Sequence, residues 1–301
     1  MGKKKRFRNK SKTGRRFLGI GLMLLALYAW TFYAETRAHI APDYPMEDIR
    51  EYLYKGQLTE GDYSLLFYQT GLAKAGVDAL RSQGRPELLL ELQRNYFDKV
   101  EITCSRDSFI AMGERLAKDC KGQRIPVAET GDILITFNSH VLGWRSGHAA
   151  LVIDGEERLT LEAQVPGKNS GILSLERWEN YPGFAVLRLK NVTDRQQEEL
   201  GEYARERLEG IPYRLTAGLK EAFADGMKGK LHFLPDIVQA KADTDTEERV
   251  QLSGTHCAHL VWYAYRKLGV NLDSDGGMIV TPRDLYDSPY LEIIQIYGLE
   301  P

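Results

Sequence analysis

Cys257 lies in the run Gly254-Thr255-His256-Cys257-Ala258-His259-Leu260-Val261, where a helix is expected to begin. Leu260, Val261, Ala264 and Leu268 recur at helical spacing, and Gly269 supplies a stop. At a helix N-terminus the dipole and the free N–H groups favour thiolate over thiol and can hold an oxyanion. A thiol nucleophile needs a base, and the base needs an orienting partner. His148 precedes an apolar run, Ala149 to Ile153. Glu162 sits among Leu159, Leu161 and Ala163, a setting in which an unpaired carboxylate is costly. On neighbouring strands the two can lie side by side, so that Glu162 holds the imidazole and raises its basicity. The expected catalytic set is Cys257, His148 and Glu162.

Plainer readings stand beside this one. Buried cysteines are usually inert packing residues. A histidine before a strand is more often a hydrogen-bonded edge residue, and Glu162 can be a surface residue at a strand end. The two histidines flanking Cys257 are close in sequence, but on a helix His259 points roughly 160° away from the thiol and makes a poor base. His256 is expected to line the pocket. Read together, His148, His256, Cys257 and His259 suggest zinc, yet the spacing His-Cys-x-His matches none of the usual metal patterns. No metal and no cofactor are expected. Nor is there a Gly-rich phosphate loop, a dinucleotide fingerprint or a serine elbow.

The elements that must position these residues are mostly strands. From Gly131 the pattern has period two through Ile133, Ile135 and Phe137. Further strands are expected at Ala149–Ile153, Leu159–Gln164, Ile172–Leu175, Phe184–Leu189 and Leu291–Tyr297. Short strands without intervening helices imply an antiparallel sheet. A helix is expected from Asp194 to about Leu208, capped by Thr193 with Gln196 and ended by Gly210. Residues 214–253 read as a polar insertion, a candidate lid. Upstream, residues 35–125 read as short helices. One starts at Thr59 with Asp62, one has Pro86 in its first turn and Leu89, Leu92 and Tyr96 on one face, and a third runs over Phe109–Lys118. Val100–Cys104 is a possible short strand. The fold class is α+β.

Net charge is −2, but it is unevenly spread. Residues 1–34 carry nine Lys or Arg and no acid, so the remainder is acidic on balance. Nucleic acid is not an expected partner, since no basic patch stands outside that tail. Phe17 to Ala34 is free of charge. As a helix it would be about 27 Å long, near the roughly 30 Å hydrocarbon core. Its C-terminal half is aromatic, with Tyr28, Trp30, Phe32 and Tyr33. The expectation is a basic cytoplasmic tail (1–16), a transmembrane anchor (17–34), a helical juxtamembrane region (35–125) and an exported catalytic domain (126–301). In that compartment Cys104 and Cys120 can pair, leaving Cys257 free.

Several segments recur in one order: Gly131-Asp132-Ile133-Leu134, Gly147-His148-Ala149-Ala150-Leu151-Val152, Glu162-Ala163, Pro212-Tyr213 and His256-Cys257-Ala258-His259-Leu260-Val261. Taken over roughly residues 126–290, this order resembles the circularly permuted branch of the NlpC-type papain-like cysteine hydrolases, the YiiX/YebB-like family. In unpermuted relatives the cysteine helix precedes the histidine strand. The resemblance implies a permuted papain-like domain with Cys257 as nucleophile, His148 as base and Glu162 as the third polar residue. Tyr213, matching the family's Pro-Tyr motif, is implied beside the active site in a substrate-binding role. Thr281-Pro282-Arg283-Asp284-Leu285 also looks like a family feature. Where unpermuted members have Asp-Cys-Ser-Gly, this chain has His-Cys-Ala-His, which leaves the substrate open. The function so implied is a membrane-anchored, extracytoplasmic cysteine hydrolase cleaving an amide bond, with a cell-wall peptide such as a peptidoglycan stem as substrate. The alternatives are a lipid-amide hydrolase or acyltransferase, and a non-catalytic envelope-binding module.

Overall fold

A computed structural model of the chain describes residues 17–27, 29, 38–218, 252–277 and 279–300. Among the described residues, a helical run at 17–27 is followed by four helices: α1 (Arg50–Leu53), α2 (Glu60–Thr70), α3 (Lys74–Ser82) and α4 (Leu88–Phe97). Thr59 and Asp62 close a reciprocal capping box at the start of α2, and Gly71 ends it in the left-handed conformation. Glycine is required there, because a Cβ would run into the Ile296 carbonyl. On α4, Leu89, Leu92 and Tyr96 are buried on one face.

Ten strands follow in two antiparallel sheets. β1 (Ile102–Arg106), β2 (Ala111–Leu116), β4 (Ser139–Val141) and β5 (Trp144–Arg145) form a small sheet in the order β1-β2-β4-β5. The main sheet runs β10-β9-β3-β6-β7-β8 and is built from β3 (Ile133–Thr136), β6 (His148–Asp154), β7 (Leu159–Glu162), β8 (Gly171–Ser174), β9 (Phe184–Leu189) and β10 (Leu291–Tyr297). Among the described residues, three further helices are α5 (Asp194–Arg207), between β9 and β10 in the chain, and then α6 (Cys257–Arg266) and α7 (Pro282–Tyr286).

The main sheet is apolar on both faces, and strand alternation sorts its residues between two cores. Ile133, Ile135, Ala149, Leu151, Leu161, Ala185 and Leu187 pack with Leu200 and Ala204 of α5 and with Leu260, Val261 and Ala264 of α6. Leu134, Ala150, Val152 and Val186 face the other way, against Leu66, Leu80, Leu89 and Leu92 of the N-terminal helices and Trp178 of a 3₁₀ turn (Leu175–Asn180). The helices at 50–97 therefore share a core with the sheet. Edge strand β10 is also covered, since Ile296 N–H donates to the Gly71 carbonyl at 2.7 Å and Ala73 N–H to the Ile294 carbonyl at 2.9 Å.

Inside the β3 entry, the Asp132 carboxylate is fully buried and accepts from Arg188 on β9 at 2.7 and 2.8 Å. The same guanidinium donates to the Val127 carbonyl at 3.1 Å. Arg188→Met is expected to cost about 3–5 kcal/mol, because it strands a buried carboxylate. Urea unfolding measures this, and a loss under about 1 kcal/mol would show the pair to be dispensable.

Four expectations need correction or placing. No helix among the described residues is long and apolar enough to cross a membrane, so the transmembrane anchor over 17–34 is not supported. Residues 17–27 are helical. Tyr28 and residues 30–34 lie outside the described residues. The helix expected over Phe109–Lys118 is strand β2. Its burial alternates at first, with Ala111 and Gly113 in and Met112 out, a strand period where the spacing of Met112 and Leu116 also fits a helix. Cys104 and Cys120 are both free. Cys104 pairs opposite Glu114 in the middle of the β1–β2 ladder, whereas the Cys120 thiol accepts from Glu101 N–H beyond the strand end. Finally, the lid expected over 214–253 lies mostly outside the described residues, which stop at Gly218 and resume at Leu252.

Candidate active site

The first residue of β6 and the first residue of α6 meet at one end of the main sheet. Gly147 sets the approach of β6. Its φ is +75°, and a Cβ there would sit 2.9 Å from the Thr136 carbonyl and 3.2 Å from the Pro282 ring. Only glycine fits between β3 and α7 in that conformation. His148 then opens the strand opposite Thr136.

Glu162 closes the neighbouring strand. The β6–β7 register pairs Leu151 with Leu161 and Val152 with Thr160. Continued, it sets Glu162 opposite Ala150, on the same face as His148 and diagonal to it, within reach of a long side chain. Glu162 Oε2 lies 2.8 Å from His148 Nε2. Glu162 Oε1 accepts from Thr160 Oγ1 at 2.8 Å and from Trp178 Nε1 at 3.0 Å. Trp178 has a second role. Its ring is stacked on the imidazole, with centroids 5.5 Å apart and planes 13° from parallel. The tryptophan thus fixes both members of the pair. With Nε2 engaged by the carboxylate, Nδ1 is the ring nitrogen left for the thiol.

Cys257 is held from the other side. Before α6 the chain runs as a strand-like pair with Pro212-Tyr213: Thr255 N–H donates to the Pro212 carbonyl at 2.9 Å, and Arg214 N–H to the Thr255 carbonyl at 2.7 Å. His256 is the N-cap, its Nδ1 accepting from His259 N–H at 3.4 Å. His259 is tied through Nδ1 to Thr255 Oγ1 at 3.1 Å, which removes it from the thiol's service.

The electrostatics follow from burial and these contacts. Burial alone would push the Cys257 thiol up, but His148, through hydrogen bonding and charge, together with the neighbouring His256, outweighs it and brings the thiol down to about 5. Burial would likewise push His148 down, yet Cys257 and Glu162 hold it well above the ordinary imidazole value. Glu162, against its own burial, is kept below the usual carboxylate range by His148, Trp178 and Thr160. Burial and the charge of the nearby thiolate both push the Tyr213 phenol up. For His259, burial and then His256 push the imidazole down to about 4. The resting pair at neutral pH is therefore thiolate and imidazolium.

The sign of each contribution to stability differs. The depressed thiol stabilises the fold fully above its unfolded value, about 8.5, and loses that contribution as pH falls through about 5. The raised imidazole stabilises fully below about 6.5 and loses its contribution as pH rises through its folded value. A direct measurement is the pH profile of alkylation. The rate with iodoacetamide is expected to be half-maximal near pH 5. A midpoint between 8 and 9 would show an ordinary thiol.

The pair opens on a cleft of about 490 Å³. Cys257, His148, His256 and Tyr213 line it together. The opposite wall comes from the small sheet, with Met112 and Arg115 on β2 and Ser139, His140 and Val141 on β4. Arg115 donates to Tyr181 Oη at 2.9 Å, with its guanidinium 3.8 Å from the ring centre. Among charged lining residues, Arg115, Lys168 and Arg177 face a single carboxylate, Asp107.

Sequence reasoning missed Trp178, Thr160 and the whole β2 wall. Trp178 stands in a short 3₁₀ turn with no periodic signal, and the residues of β2 also satisfy a helical spacing. Among the described residues, the group bringing three metal-type side chains together is Asp273, Asp275 and Asp284. There Asp284 already serves Thr281 as a capping-box partner.

Comparison with known protein families finds no match, and no curated protein matches the chain. Among solved structures, the chain is similar to the metalloprotein yiiX from Escherichia coli O157:H7, of the DUF1105 group. The TM-score is 0.39 and the identity 15%, over 57% of this chain and 98% of the other. A likeness of that size does not assign the chain to a family.

Proposed function

We propose that this chain is a thiol-dependent hydrolase of amide bonds. The reading is carried by one observation: a buried Glu162–His148 pair at 2.8 Å beside a helix-N-terminal thiol brought down to about 5, all opening on one cleft. The Cys257 thiolate attacks the substrate carbonyl carbon, and the carbonyl oxygen takes the negative charge near the Cys257 backbone N–H. As the tetrahedral intermediate collapses, the C–N bond breaks and His148 Nδ1 gives its proton to the departing amine. His148, now neutral, takes a proton from water. The hydroxide attacks the thioester, and the C–S bond breaks to regenerate the thiolate. Glu162 stabilises the imidazolium and keeps Nε2 protonated throughout. Such a mechanism is that of the permuted NlpC-type hydrolases which the motif order resembles.

The cationic lining, Arg115, Lys168 and Arg177 against Asp107, favours a substrate with a carboxylate near the scissile bond, as a cell-wall peptide has. The apolar lining from Met112, Val141, Val165, Leu215 and Ile279 favours a second reading, hydrolysis or transfer of a lipid acyl group. The two are separated by product analysis. Purified peptidoglycan and an N-acyl lipid amide are each incubated with the full chain, followed by mass spectrometry. Released peptide fragments support the first and free fatty acid the second. Neither product, with the cleft still binding peptide, would leave a binding module.

A further inference from the structure

His256 does more than cap α6. Its ring is about nine-tenths buried, at 6% exposure, and lines the cleft beside the thiol. Its two nitrogens have different fates. Nδ1 accepts from His259 N–H, and a backbone N–H can only donate, so Nδ1 carries no proton. The tautomer is thereby fixed with the proton on Nε2. Among the described residues, Nε2 is buried and makes no hydrogen bond of ordinary geometry, its nearest polar neighbour being the Cys257 thiol. A buried donor without an acceptor costs about 1–3 kcal/mol and calls for an explanation. His256 also lies close enough to Cys257 to help pull the thiol down.

Resting on the thiol mechanism above, we propose that His256 is a catalytic residue, the side-chain donor of the oxyanion site. Its Nε2–H receives the oxygen that becomes negative when Cys257 attacks a carbonyl. No proton changes hands in this role: the hydrogen bond strengthens as charge forms on oxygen and weakens as the C=O bond returns. The donor is set before reaction by the cap itself, so it needs no reorganisation when the charge appears.

The test compares two reactions of the same thiol. p-Nitrophenyl acetate acylates Cys257 through a tetrahedral oxyanion and releases p-nitrophenolate. Iodoacetamide alkylates it by displacement at carbon, with no oxyanion. Serine at a helix N-cap still accepts from the backbone but cannot reach the cleft. In the full chain, His256→Ser is expected to lower the plateau acylation rate constant about 10²–10³-fold. The plateau alkylation rate constant should stay within about threefold, which also reports an intact site. His256→Asn, which caps equally well, serves as the second variant should the serine form unfold. An unchanged acylation rate, or an equal fall in both reactions, overturns the proposal. If the wild-type chain shows no acylation that depends on Cys257, it is the hydrolase reading that fails, and the oxyanion role with it.

Discussion

With Cys257 replaced by Ala, amide turnover and the p-nitrophenolate burst are expected to vanish together, a loss of about 10⁴-fold or more. Nothing else in the cleft can replace the thiol as nucleophile. Ser139, Ser146, Thr281 and Tyr213 line the same space, but the base is committed elsewhere: His148 faces Cys257 and Glu162. The fold should tolerate the change. Cys257 is the first residue of α6, and alanine is a good helix former of smaller volume. The change also removes a buried negative charge, so His148 loses one of the two partners that hold its proton. Its titration should move down, which NMR of the imidazole can follow. Residual activity within a factor of ten would end the thiol mechanism.

Glu162→Gln is the second large effect, and it separates orientation from shape. Glutamine fills the same volume and its oxygen can still accept from Trp178 Nε1 and Thr160 Oγ1. Its amide nitrogen then points at His148 Nε2, where the carboxylate oxygen now lies at 2.8 Å. Two donors cannot share one hydrogen bond, so Nε2 must give up its proton and Nδ1 must keep one. A histidine protonated on Nδ1 cannot take a proton there. Turnover is expected to fall about 10³–10⁴-fold, the size of effect that a wrong tautomer brings in comparable triads. The alkylation midpoint should rise from about 5 toward the ordinary thiol range, because the imidazolium facing Cys257 loses its counter-charge. Stability should fall by only about 1–3 kcal/mol. A variant with near-normal turnover and an unmoved midpoint would show that Glu162 is a structural carboxylate.

Much of this arrangement is legible in the sequence. The main-sheet strands β3, β6, β7, β8, β9 and β10 are short, largely apolar and punctuated by turns, and period two is a local property that a sequence carries openly. Capping boxes at Thr59 and Thr193 were readable for the same reason, since cap and partner lie three residues apart. His148 and Glu162 could be proposed as neighbours because two adjacent strands allow few registers. Cys257 could be placed at a helix start, and His259 set aside, from helical geometry alone.

What failed locally failed chiefly on period. Ala111–Leu116 satisfies a helical spacing of Met112 and Leu116 as readily as a strand, and only pairing with β1 and β4 decided it. The anchor over 17–34 rests on hydropathy alone, and no helix among the described residues is long and apolar enough to cross a membrane. Cys104 and Cys120 looked like partners because exported chains pair their cysteines, whereas the β1–β2 register keeps them on different residues' neighbourhoods.

The sequence by itself determined the residue types: one thiol at a helix start, a histidine at a strand start, and a carboxylate in an apolar strand. Tertiary structure decided what each one does. Parity along β6 and β7 puts His148 and Glu162 on the face that also receives Trp178, a residue from a turn with no pattern of its own. The α6 helix packs on the opposite core and meets the histidine only at the sheet's end. His256, adjacent to the thiol in sequence, acquires a fixed tautomer only because α6 presents an N–H to its Nδ1. Each of these depends on long-range register and packing, in which residues a hundred positions apart share a few ångströms, and no local pattern encodes that.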